Sequence, residues 1–390
     1  MLRSLYSGIS GLQAHQTMLD VTGNNIANVN TVGFKSSAVE FEDTLSQLFS
    51  GATAPNGGAG GTNPAQIGLG VKVAGISTNF TEGSAESTGK PTDQMINGDG
   101  FFVVKVGGTN AYTRAGDFDF DSAGQLVSLS GGGLVQGWTA DAAGNINTGG
   151  PIGSIVLPTT SVAPAATTTK AVFSGNLPSN AAAGTVVSRD LDVYDAGGKK
   201  STVSLTFTSD GAGNWAVANG ANALGTLTFA NGVLQSGATL TTGGVTLDLS
   251  KLTGYSDLST LALDSQNGHG AGTLTGYSIG ADGTITGSYS NGVMQAIARI
   301  AIANFTNPGG LEKAGGSLYT QSPNSGAMTL GSAGDPGLGS LSGGYLEASN
   351  VDLSQEFTNL IVAQRGFQAN ARIITTSDSV LQELVDLKRQ

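Results

Sequence analysis

From Val351 to Gln390 the chain keeps an apolar stripe that nothing else in it matches. Leu353, Phe357, Leu360, Gln364, Phe367, Ala371, Ile374, Asp378, Leu381 and Val385 follow one another in alternating steps of four and three, the spacing of a helix packed on another helix. No proline interrupts the run, and Gly366 is its only glycine. Asp352 stands at the N-cap position, with Gln355 three residues on to complete a capping box. A stripe sustained over this many heptads is longer than a helix needs to cap a sheet, so it calls for a helical partner or for copies of itself. The other end of the chain offers one. Leu2, Leu5, Ile9, Leu12 and Leu19 share one helical face, with Gln16 filling the gap. Gly8 and Gly11 each weaken that helix by about 1 kcal/mol relative to alanine. Gly23 and the Asn-rich stretch after it are expected to end it.

Everything between these ends speaks for strands. Glycine supplies 61 of 390 residues, and charged residues are only 12%, against about 7% glycine and 25% charge in an average globular chain. That balance suits short strands joined by tight turns. "STVSLTFTS" alternates Val203, Leu205 and Phe207 against Ser and Thr, a half-buried strand. Asn231-Gly232 and Asn291-Gly292 sit between strand-like flanks, where Asn-Gly favours the type I′ hairpin turn because both central residues take φ > 0. "SGATAPNGGAGGTNPAQ" (50–66) is a linker or extended arm. "GGPIGSIVLPTT" (149–160) marks a boundary. The expected fold is mainly β with α-helical termini pairing as a coiled coil. The helical domain takes 1–30 and 352–390, and an extended linker arm takes 31–70. A β core takes 71–145 and 285–351, with a second, outer β domain inserted at 146–284.

Composition excludes several functions. The net charge of −11 is spread without a basic block, which argues against nucleic acid and anionic membranes as partners. There is no cysteine, so disulfides, thiol catalysis and Cys-based zinc sites are absent. The N-terminus carries Ser4, Ser7, Gly8, Ser10 and Gly11 in place of the apolar core of a cleaved signal peptide. "VMQAIARIAIANF" is too short to span a bilayer. His15 and His269 are the only histidines, far apart in the chain. "DFDFDSAG" (117–124) alternates carboxylates as a calcium loop does, but Ser122 and Ser128 stand where a glycine and a glutamate belong. A strand with Phe118 and Phe120 facing a core, closed by a turn, accounts for it better. Tyr112, Arg114 and Asp117 are expected as an exposed cross-strand group. No catalytic, cofactor or metal-ligating set emerges, and the expectation is that the chain is not an enzyme.

Three long stretches are similar to one known group. "SLYSGISGLQAHQTMLDVTGNNIANVNTVGFK", "YTRAGDFDFDSAGQL" with "INGDGFFVV" and "VQGW", and "LSGGYLEASNVDLSQEFTNLIVAQRGFQANARIITTSDSVLQEL" resemble the N-terminal, core and C-terminal signatures of the bacterial flagellar axial proteins, the rod, hook and hook-junction group. Asn24, Asn25, Asn28, Gly33, Phe34, Asn350, Gln364 and Arg365 carry the terminal signatures. "LDVYDAGGKKSTVSLTFT", "GNWAV" and "LTFANGVL" in the middle block look like hook subunits rather than the shorter rod subunits. The likeness is dense over 1–45, 67–140 and 276–390 and looser over 146–275. It implies a structural subunit exported without a cleaved signal through the flagellar type III apparatus. Outside the cell that subunit polymerises into a curved hollow tube, a universal joint between motor rod and filament. The implied partners are copies of itself, the rod, the hook cap, the hook–filament junction proteins and the export apparatus. A distal-rod subunit is the nearest alternative, and a secreted β-rich enzyme or adhesin a remote one.

Overall fold

The computed structural model describes residues 2–55, 60–141, 144–158 and 162–387. Two helices, α1 (Leu2–Ala27) and α2 (Leu353–Leu387), bracket a chain otherwise built of strands. They run antiparallel. Opposite Gly8, Gly11, His15 and Asn25 of α1 lie Ile374, Asn370, Gly366 and Glu356 of α2. Asp352 caps α2, its Oδ1 accepting from Ser354 N (2.8 Å) and Gln355 N (3.2 Å). The Gln355 amide turns to Asn359 instead of completing a capping box. α1 runs on through Gly23 to Ala27. Gly23 faces open space, so its cost is only the propensity cost of about 1 kcal/mol. The three hydrogen bonds that Asn25 makes on the inner face offset it.

The stretch expected as an extended linker is half of a hairpin arm. Ser37–Asp43 pairs antiparallel with Val71–Thr78, and Ser46–Ser50 with Ala65–Gly68. The second half of the return limb, Val71–Thr78, therefore lies beyond the expected boundary at 70, and residues 56–59 of the Gly/Pro-rich stretch lie outside the described residues. The arm lies along α1. Val71 N donates to Ser10 Oγ (3.3 Å), His15 meets Phe41 with ring centroids 6.0 Å apart, and Arg3 lies over the Phe49 ring at 5.4 Å.

Two sheets follow. The larger has thirteen strands around the long strand Met294–Phe305, which pairs with Thr284–Tyr289, Leu134–Thr139, Phe101–Val106 and Met328–Ser332. Both its faces are covered. Phe102 and Val104 belong to one core with Phe118, Leu126, Ile300 and Ile302, while Phe101 and Val103 face a second core with Tyr112, Phe305 and Tyr319. Alternate side chains of one strand point to opposite faces, so two cores need a strand apolar throughout, as "FFVV" is. Tyr112 and Arg114 are buried here, not exposed across a strand pair, because the second core covers their face.

The smaller sheet has nine strands between Lys170 and Gln266 and its own core, with Trp215, Phe173, Phe207, Leu205 and Leu191 fully buried. Its edges approach one another where Arg189 Nε donates to Leu261 O (2.7 Å) and Thr168 N to Tyr194 O (3.0 Å). The chain passes between the sheets at Ala166 and His269, which exchange two backbone hydrogen bonds of 3.0 Å. This sheet is narrower than the expected 146–284 insertion. Gly153–Ser154, Val162–Ala163 and Gly272–Ile279 join the larger sheet, and Ile155 and Leu157 are buried in its core. The prolines at 151 and 158 punctuate that edge without marking a boundary. Asn231 and Gly232 take φ of 52° and 79°, the type I′ turn. At Asn291-Gly292 only Gly292 is left-handed, its N–H donating to Tyr289 O (2.9 Å), so a type I turn closed by glycine forms instead.

Candidate assembly surface

The helix pair closes on small residues. Gly8, Gly11, Ala14, Thr22 and Asn25 are the buried positions of α1, and Glu356 and Ala363 those of α2. A Cβ on Gly11 would stand 2.7 Å from the Asn370 amide, and one on Gly366 would stand 2.5 Å from the His15 ring. The glycines that weaken α1 as an isolated helix are what let the two backbones approach. Of the expected seam residues, Leu5, Leu12, Leu19, Leu360, Phe367, Ile374 and Leu381 are half-buried beside this contact, and Ile374 packs on Gly8. Ile9, Leu353, Phe357 and Val385 are exposed. Val385 has the seam phase but lies past the end of α1. The side chain of Leu2 lies outside the described residues. A second apolar surface faces away from the pair, with Phe357 52%, Ile361 56% and Leu387 75% exposed beside Val362, Val380 and Leu384.

Below the helices a polar junction ties both ends of the chain to the larger sheet. Asn25 bridges three elements: its Nδ2 donates to Ser37 O (2.7 Å) and Glu356 Oε1 (3.0 Å), and its Oδ1 accepts from Ser37 N (3.0 Å). Asn350 accepts from Ser36 N (2.8 Å) and donates to Asn79 O (2.8 Å) and Thr81 O (3.1 Å). Asn28 donates back to Asn24 O (2.9 Å) at the end of α1. Gly33 takes φ 65°, and a Cβ there would stand 2.5 Å from Ala115 N, so both backbone and space require glycine. The Phe34 ring lies 5.1 Å from Lys313 Nζ. Gln364 and Arg365 are exposed on α2, away from this junction.

Sequence reasoning missed the charges at the centre. Lys35 and Glu347 have fully buried side chains and pair at 2.5 Å, with Arg114 3.6 Å from the other carboxylate oxygen. Lys35 also donates to Thr81 O (2.6 Å), and Gly83 N donates to Glu347 Oε1 (2.9 Å). Burial pushes the Lys35 ammonium down from its ordinary value against the pull of Glu347. Tyr319 is pushed well up by burial and by the Glu347 charge. No signal in the sequence marks them, because Lys35, Arg114 and Glu347 are far apart in the chain and each is ordinary alone.

Antiparallel terminal helices, a hairpin arm along them and β units strung between define a class, the flagellar axial subunits. The family model described as flagella basal body rod protein matches residues 5–35, that of the flagellar hook protein FlgE/F/G D1 domain matches 95–172, and that of the flagellar basal body rod FlgEFG protein C-terminal matches 342–387. Full-length relatives then narrow it. The chain is 42% identical to the flagellar hook protein FlgE of Borreliella burgdorferi over 100% of both chains. It is 37% identical to that of Escherichia coli over 97% of this chain and 98% of the other. It is also 36% identical to the flagellar basal-body rod protein FlgG of Bacillus subtilis over 100% of both. The chain belongs to the flagellar hook protein FlgE family. The crystal structure of Helicobacter pylori flagellar hook protein FlgE2 shares the fold, at a TM-score of 0.50 and 16% identity over 67% of this chain and 100% of that one.

Proposed function

We propose that this chain is a hook subunit that self-assembles outside the cell into a curved, hollow helical tube, a universal joint between the flagellar rod and the filament. In this reading the terminal helices form the inner layer and the two β units the outer layers, with the nine-stranded unit outermost. The hook cap, the rod and the junction proteins meet it at the tube ends, and it leaves the cell through the type III apparatus. Its work is mechanical, and it uses no catalysis and no cofactor. The observation that carries the reading is the outward apolar surface of the helix pair. Each large apolar side chain left in water forgoes about 1.5–3 kcal/mol of burial, and Phe357, Ile361, Val362, Leu384 and Leu387 are all left exposed on α2. A second reading, a straight rod subunit, rests on the likeness to the Bacillus rod protein. Negative-stain imaging of assembled protein decides: curved tubes support the hook, straight ones the rod, and a protein that stays monomeric at high concentration overturns both.

A further inference from the structure

Two features of this chain fit each other only between copies. The first is a rigid corner of the arm. Leu45 is 82% exposed, yet its backbone is fixed: Thr44 N and Oγ1 both donate to Gly70 O (2.9 and 3.0 Å), and Leu69 N donates to Leu45 O (3.1 Å). Asp43 beside it is exposed, and among the described residues no cation lies within ion-pair distance of it. The second is a cleft of about 540 Å³ between the last turn of α1 and the hairpin Glu312–Thr320, lined by Asn24, Asn28, Phe34, Leu318, Tyr319 and Lys313. Lys313 Nζ donates to Ser37 Oγ (2.8 Å) and Lys35 O (3.3 Å) and faces the Phe34 ring, and no described carboxylate lies within ion-pair distance. The turn forming one wall holds Gly315, Gly316 and Ser317 at φ 87°, 58° and 58°. Left-handed backbone at a non-glycine residue is strain of the kind that collects at binding surfaces.

The corner cannot reach the cleft of its own chain. Gly70, which anchors Thr44, packs on Ser7 and Ser10 of α1, whereas the cleft begins at Asn24. That separation along a helix is about 20 Å or more. We propose that the cleft is a socket for the Asp43–Leu45 corner of a second copy displaced along the α1 axis by about 20–30 Å, with Leu45 entering over Phe34 and Leu318 and Asp43 pairing with Lys313. The inference rests on the assembly reading above and names one of its contacts.

Wild-type assembly is measured first by sedimentation and negative stain; without polymer the assembly reading falls and the socket with it. The chain has no cysteine, so single variants Leu45→Cys and Ser317→Cys, mixed before assembly, test the contact directly. Oxidising the mixed polymer should give disulfide-linked dimers, while Leu45→Cys mixed with Ser250→Cys of the nine-stranded unit should give none. Polymer of wild-type form without the first cross-link overturns the socket and leaves the assembly reading standing. Charge exchange is the second measurement, needed if the cysteine variants assemble poorly. Lys313→Glu should raise the critical concentration about tenfold, and adding Asp43→Lys should bring it back toward wild type. Lys313→Glu assembling as wild type, or a double variant no better than the single, also overturns the proposal.

Discussion

Replacing Glu347 by glutamine isolates the junction between the helices and the larger sheet. The substitution keeps the side chain's size and an oxygen for Gly83 N, but removes the one negative charge among two buried cations. Breaking a buried ion pair by changing one partner costs about 3–5 kcal/mol, because the remaining charge is neither solvated nor paired. Lys35 and Arg114 are both left so. Lys35 has an escape: its ammonium is already pushed down by burial and can shed its proton, which holds the loss toward the lower end. At about 2–4 °C per kcal/mol for a unit of this size, the melting temperature should fall by about 6–15 °C. The assay is calorimetry on the full chain at neutral pH. The nine-stranded unit keeps its own core around Trp215 and Phe173, so its transition should stay while the junction-bearing one moves. Adding Lys35→Met, which removes one stranded cation, should recover part of the loss. A Glu347→Gln chain melting within about 1 kcal/mol of wild type, or one in which both transitions fall together, would refute the claim that the pair is desolvated and local.

Alkaline pH tests Tyr319. Its phenol keeps its proton above about pH 10, where the unfolded chain loses it; the unfolded state then binds fewer protons, so stability falls as pH rises through that range. Tyr319→Phe should flatten the fall in urea melts, while the lowered Lys35 acts oppositely, adding stability with rising pH below its ordinary value of 10.5. Two glycine substitutions should have opposite signs in hydrogen exchange of the helical amides. Gly23→Ala, facing open space, should stabilise α1 by about 1 kcal/mol, whereas Gly366→Ala, meeting the His15 ring, should lose about 1–3 kcal/mol to overpacking, less that same gain. Residues 166–269 expressed alone should melt cooperatively, because their buried side chains pack on one another and the ends of the piece meet at Ala166 and His269; a non-cooperative melt would mean that the core leans on the larger sheet.

The helices and their pairing were legible because periodicity survives without tertiary context. The four–three alternation from Leu353 to Val385 needs no neighbour to be seen, and neither does the Asp352 cap. What closes the pair was not legible. Gly8, Gly11 and Gly366 are a liability on a propensity scale and become the contact only when a second backbone is known to approach. The same limit hid the arm, whose two limbs at 37–50 and 65–78 leave most of their residues exposed on both faces and so give little alternation to read. The inserted unit was visible as a composition shift, but its limits depend on which strands pair. Gly153–Ser154 and Val162–Ala163 are two-residue strands with no periodicity to read. The buried triad was beyond sequence altogether, since Lys35, Arg114 and Glu347 are distant in the chain and ordinary on their own.

How the few charges are distributed bears on how such a subunit could bend without slackening. On the nine-stranded unit, Lys170–Asp248, Lys200–Asp192 and Lys251–Asp264 are solvent-exposed pairs within the unit, worth about 0–1 kcal/mol each. Each joins strands of its own unit, and the surface around them is Thr, Ser, Gly and Ala, so contacts made there would be exchanged at little cost. At the junction the same residue types are buried and bonded across segments from opposite ends of the chain. Desolvated pairs there strongly resist separation, because pulling Glu347 away from Lys35 strands both. Twisting the helix pair against the larger sheet would have to strain Asn25, Asn350 and Glu347 together, whereas shifting one outer unit past another strains none of them. In the proposed tube, torsional stiffness inside and compliance outside would then be two uses of one small set of charges, separated by burial alone.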